Sequence, residues 1–207
     1  MSLAVKRYVA LGDSFSAGLE DDGSTPWPEL TVRGLRARGE RVELFNFARV
    51  NATTADVAES QLEPALELRP ALVSLVCGAN DVLLSVRPDY DAFEAAFDGL
   101  LGRLRGELPG ATLVTATYPD PGRFADLRPR TRKRVVEGIA AANDVIRGAA
   151  ETNGALCLEL SEHPGVADRA NVGKDGFHPS AIGHRRAAAE VLEALAHHRS
   201  PGEKECA

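Results

Sequence analysis

The chain has 207 residues, 44% of them hydrophobic and 26% charged, with a formal net charge of −6. That length suits one α/β domain with a substantial core, and the acidic balance leaves no basic footprint for nucleic acid. No apolar run approaches the roughly 20 residues of a membrane-spanning helix, so membrane insertion is not expected.

Residues 1–7 carry no cleavable hydrophobic segment, and Cys77 and Cys157 lie in apolar runs while Cys206 sits in a polar tail. Reduced cysteines without metal-ligand spacing predict a cytoplasmic location.

In chain order, the β-branched apolar runs Tyr8–Leu11, Val42–Phe45, Leu72–Val76, Thr112–Ala116 and Leu156–Leu160 predict five strands. Between them, Pro28–Arg38, Thr54–Leu68, Tyr90–Glu107 and Pro129–Asn153 carry helical spacing, and Ser180–His197 forms a last helix with Ser180 as its cap. Strands flanked by helices imply a mostly parallel five-stranded sheet in a doubly wound, three-layer α/β/α sandwich. The longest irregular connections are 20–26, 118–127 and 161–177, none long enough to separate two domains; residues 1–199 read as one domain and 200–207 as a disordered polar tail. The basic run Arg128, Arg130, Arg132, Lys133 and Arg134 reads as a solvated helix face.

In such a sheet the carboxyl ends of the strands face the ligand crevice. Gly12-Asp13-Ser14 follows the first strand, Asn46–Asn51 the second, Gly78-Ala79-Asn80-Asp81 the third and Tyr118–Pro121 the fourth, and Asp175–Pro179 precedes the last helix. All the chemically interesting segments therefore converge on one edge.

Ser14, on a turn between strand and helix with Gly12 easing the chain, can present its hydroxyl outward. A Gly-Asp-Ser tripeptide alone is commonly just a turn or cap. His178 is the histidine of a Gly/Pro-bounded loop, and Asp175, three residues earlier, can fold back onto one ring nitrogen and leave the other to take the Ser14 proton. Asn80 can donate its amide to a developing oxyanion, although in isolation it reads as a turn residue closing a strand. Asp81 is expected to organise its loop.

These segments together resemble the SGNH hydrolases, the GDSL-type esterase/lipase family, over nearly the whole chain from Leu11–Gly18 to the Asp175–His178 loop. The resemblance implies a flavodoxin-like SGNH fold and a catalytic set of Ser14 as nucleophile, His178 as base and Asp175 as its orienting partner. It also implies an oxyanion hole built from the Ser14 N–H, the Asn51 N–H and the Asn80 side chain. Asn46–Thr54 resembles the family's second block, with one departure: Asn51 stands where the family normally has glycine. Asparagine tolerates left-handed backbone better than most residues, so the donor can survive while the side chain narrows the pocket or adds a polar contact.

The expected activity is hydrolysis of a small-molecule ester through an acyl-enzyme, with no cofactor and no metal. Acyl transfer to another alcohol needs the same residues, and a non-catalytic binding domain with a disabled oxyanion hole is the rival from a different class. With 5% aromatic residues a long stacking platform for polysaccharide is not expected, but one ring such as Trp27 or Tyr118 can serve, and Arg49 and Arg123 are candidates to meet an anionic leaving group.

Overall fold

The structure, a computed structural model, describes residues 5–18 and 23–198. Cys206, the 200–207 tail and part of the 20–26 connection lie outside them.

Five strands, β1 (Lys6–Gly12), β2 (Val42–Asn46), β3 (Leu72–Val76), β4 (Thr112–Ala116) and β5 (Leu156–Leu158), form a sheet in the order β2-β1-β3-β4-β5 with every pairing parallel. The central strand β3 is buried at all five positions. Its one polar residue, Ser74, meets the Tyr8 hydroxyl of β1 at 2.9 Å, which satisfies both groups in the core. β5 is shorter than the apolar run predicts: Leu156, Cys157 and Leu158 pair with β4 and remain half-buried, as befits an edge strand.

The connecting helices are α1 (Ser14–Ala17), α2 (Trp27–Ala37), α3 (Thr54–Ser60), α4 (Leu62–Glu67), α5 (Ala79–Leu83), α6 (Tyr90–Glu107), α7 (Pro129–Thr152) and α8 (Ala181–His198). Local chemistry explains their starts. Pro28 and Pro129 occupy first-turn positions where no N–H is needed. Thr53 and Asp56 close a reciprocal capping box on α3, and Asp89 accepts the Ala92 N–H on α6. Ser180 caps α8, its hydroxyl accepting the N–H groups of Ile182 and Gly183.

The helix expected over Thr54–Leu68 is broken at Gln61 into α3 and α4. Pro64 is the reason: in a continuous helix it would lack the N–H for the Ser60 carbonyl and its ring would collide with that group. α1 and α5, four and five residues long, were not predicted at all. The basic run at the start of α7 is only partly a solvated face. Arg132 donates to the carbonyls of Gly122 and Ala125, and Arg134 to those of Val82 and Ser85 at 2.9 and 2.6 Å, so two of the five cations clamp the 122–125 segment and the end of α5.

Candidate active site

The Ser14 turn is shaped by crowding at the end of β1. Gly12 has φ +134°, and a Cβ there would lie 1.9 Å from the Val76 carbonyl oxygen, which accepts the Asp13 N–H. Only glycine fits. The side chain of Gln61, delivered by the break between α3 and α4, accepts the Gly12 N–H at 2.8 Å and donates to its carbonyl at 3.0 Å. Asp13 follows, fully buried, one carboxylate oxygen accepting the Phe15 N–H and the other the Tyr118 hydroxyl at 2.8 Å. Burial pushes its carboxyl up to about 7, against those two hydrogen bonds.

Ser14 comes next. Its hydroxyl lies 2.9 Å from Nε2 of His178, across 164 residues of chain. The His178 loop is tied by its own backbone: Val172 bridges Pro179, the Gly173 N–H meets the His178 carbonyl at 2.7 Å, and the Ser180 N–H meets that of Asn171. Gly176, with φ +80°, presses its Cα face onto Ala125 and the Phe124 carbonyl, where a Cβ would come within 2.6 Å. Asp175 does fold back as its spacing predicts. One oxygen accepts the N–H groups of Phe177 and His178, and the other lies 2.5 Å from Nδ1 of His178. Burial works to raise its carboxyl, yet the His178 ring and the two backbone donors together hold it below the usual carboxylate range. A proton on Nδ1, held by the carboxylate, leaves Nε2 free to accept from Ser14.

The 49–54 and 78–81 segments meet beside Ser14. Asn51 has φ +65°, the left-handed geometry its type tolerates. Asn80 is buried in the first turn of α5, and its side-chain N–H donates to the Ala52 carbonyl at 3.0 Å, so one of its two amide protons anchors the neighbouring segment. Asp81 does organise the loop: its carboxylate takes both the N–H and the hydroxyl of Thr54. Burial raises its pKa and the Thr54 bonds oppose that rise.

Ser14, Asn51, Asn80 and His178 all line one cavity of about 420 Å³, within the range of small-molecule sites. Its wall is largely apolar, including Leu83, Leu84, Phe124, Leu127, Val135 and Ile139. Trp27 and Tyr118 border it, but Arg49 and Arg123 do not; the arginines that do are Arg134 and Arg186. Among the described residues no group of three His, Cys, Asp or Glu side chains is placed to hold a metal ion. No helix among them is long and apolar enough to cross a membrane. Sequence reasoning missed Gln61, Phe15 and the Asp13–Tyr118 bond, since nothing in spacing pairs positions 49 or 105 residues apart.

Residues 10–186 match the GDSL-like Lipase/Acylhydrolase family. The chain belongs to that family. It is accordingly a carboxylic ester hydrolase acting on small-molecule esters. Its fold is shared with solved structures of low sequence identity. A lipase/acylhydrolase from Enterococcus faecalis is 25% identical with a TM-score of 0.70, over 94% of this chain and 97% of that one. The acetyl xylan esterase AlAXEase is 21% identical with a TM-score of 0.72, over 91% of this chain and 99% of that one. A catalytic mutant of Axe2, an acetylxylan esterase from Geobacillus stearothermophilus, is 18% identical with a TM-score of 0.72, over 94% and 96%. A comparison with curated proteins found no match.

Proposed function

We propose that this GDSL-like hydrolase cleaves carboxylic esters through an acyl-enzyme, with Ser14 as nucleophile, His178 as general base and Asp175 as the group that orients the imidazole. The observation that carries the reading is the continuous line from Asp175 through both nitrogens of His178 to the Ser14 hydroxyl, with contacts of 2.5 and 2.9 Å. Those distances are within hydrogen-bond reach, the first requirement for a nucleophile–base pair. Ser14 attacks the carbonyl as Nε2 takes its proton. The imidazolium, steadied by Asp175, returns that proton to the leaving alcohol, and water repeats the cycle.

The oxyanion is received by the backbone N–H groups of Ser14 and Asn51 and by the amide proton of Asn80 not engaged with Ala52. The left-handed backbone of Asn51 and its place on the cavity wall support its membership of this set.

The acyl group is apolar and larger than acetyl. Acetyl xylan esterases share this fold, but a cavity of about 420 Å³ walled by leucine, valine, isoleucine and phenylalanine side chains favours a hydrocarbon occupant.

The deciding experiment is labelling with an alkyl fluorophosphonate followed by peptide mapping. Adduct formation at Ser14, abolished in Ser14→Ala together with ester turnover while the folded state is retained, is the expected result. Full turnover by a folded Ser14→Ala variant would remove the assignment.

A further inference from the structure

Beneath the Ser14–His178 pair lies a second, fully buried pair that the reaction as described leaves unused. Asp13 is 0% exposed and Tyr118 2% exposed, and their contact joins the turn after β1 to the segment after β4 across the intervening strand β3. Tyr118 is itself held rigidly: Asn143 of α7 accepts its N–H at 2.7 Å and donates to its carbonyl at 2.9 Å. Its ring stands edge-on to Phe15, centroids 4.9 Å apart at 85°, and Phe15 in turn lies 5.9 Å from the His178 ring. Tyr118 thus reaches the surroundings of both Ser14 and His178 by separate routes, through Asp13 and through Phe15. The phenol reaches the residue preceding Ser14, and the ring braces the aromatic side chain against which the imidazole rests.

We propose that Tyr118 is a positioning residue for catalysis: its hydroxyl fixes the Asp13 carboxylate that holds the Ser14 turn, and its ring, through Phe15, sets the plane of His178. This rests on the assignment of Ser14 and His178 given above. Tyr118 also borders the cavity, so the group that aligns the nucleophile is part of the wall a substrate meets.

The bond has an electrostatic side. The titratable groups acting on or with Asp13 are His178, whose positive charge favours the ionised carboxyl, and Asp81, whose negative charge opposes it, with Tyr118 as donor and the buried Cys77 thiol nearby. A phenol donor stabilises the Asp13 anion, against the burial that favours its neutral form.

Tyr118→Phe keeps the ring and deletes only the hydroxyl. It should lower kcat by about tenfold, the rate equivalent of one lost hydrogen bond to a charged group, with KM for a short-chain aryl ester little changed. The feature of the pH–kcat profile due to Asp13 should move to higher pH, and it should be absent in Asp13→Asn. In the double variant the kcat losses should be far from additive, because both remove the same contact. Site-specific 3-fluorotyrosine at position 118 is the control that preserves packing: its more acidic phenol is a stronger donor and should move the Asp13 feature to lower pH.

A wild-type kcat and pH profile in Tyr118→Phe would overturn the proposal, as would additive losses in the double variant. If Tyr118→Phe does not fold, an unshifted profile for the fluorinated protein overturns it equally. Failure of the Ser14 assignment is separate, since it is read from fluorophosphonate labelling of Ser14 in the parent protein.

Discussion

Gln61 and Gly12 are joined by two hydrogen bonds, the amide oxygen on the Gly12 N–H at 2.8 Å and the amide nitrogen on its carbonyl at 3.0 Å. The Gln61 side chain thereby joins the Arg49 N–H at the Gly12 carbonyl, at the last residue of β1 and immediately before the buried Asp13 and Ser14. The break in the helix at Pro64 and the shape of the active-site turn are in this way one structural event.

Replacing Gln61 by leucine should leave the Gly12 N–H buried without an acceptor. The expected cost is about 1–3 kcal/mol of stability, together with a fall in kcat, because the residue preceding the Asp13-Ser14 pair loses its anchor. Urea unfolding and ester kinetics on the purified variant test this. A Gln61→Leu protein as stable and as active as the parent would show that the pairing is dispensable.

The two asparagines of the proposed oxyanion hole should respond in opposite ways. Asn80→Ala deletes an amide donor and also frees the Ala52 carbonyl, so kcat should fall by roughly 10²–10³ with a modest loss of stability. Asn51→Gly keeps the backbone donor, suits φ +65° without strain, and removes only the side chain. It should keep most of kcat on small esters and accept bulkier acyl groups better. A collapse of kcat in a folded Asn51→Gly protein would assign the chemistry to the amide side chain itself.

Asp13 links folding to pH. Its carboxyl, pushed up by burial to about 7, is protonated in the folded state at pH values where the unfolded chain has released that proton. The folded state then binds more protons, so stability should fall as pH rises from about 4 to about 7 and level off above. Asp13→Asn should remove this slope, with a difference from the parent of up to about 4 kcal/mol across the window. Denaturant midpoints measured from pH 4 to 8 give the answer, and parallel curves for the two proteins would refute it.

An acyl-length series reads the cavity directly. With p-nitrophenyl esters, kcat/KM should rise by up to about fourfold per methylene, the rate equivalent of one buried CH2. It should then plateau once about 420 Å³ is filled. A maximum at acetyl would contradict the hydrocarbon reading of the wall.

Much of this architecture is legible in the sequence, for a physical reason. The strand runs and the long helices carry strong periodicity, and α6, Tyr90–Glu107, coincides with its predicted bounds. Asp175 and His178 are also legible, because three residues of spacing confine where one side chain can reach the other. The split at Pro64 was available from the proline alone, but the apolar spacing around it masks the break. α1 and α5 are too short to show a period. The ties of Gln61 to Gly12 and of Tyr118 to Asp13 depend on strand order, which no local pattern records.

The distance along the chain between hydroxyl and imidazole has a consequence for biosynthesis. Ser14 and His178 are 164 residues apart, which at elongation rates of about 5–20 residues per second corresponds to roughly ten to thirty seconds of synthesis. Throughout that interval the nascent protein carries Ser14 without His178. Under the proposed assignment, hydrolytic power switches on late, when the loop bearing His178 leaves the ribosome and Gly176 seats against Ala125. A ribosome-bound chain stalled before that loop should fold its first strands and remain silent towards esters.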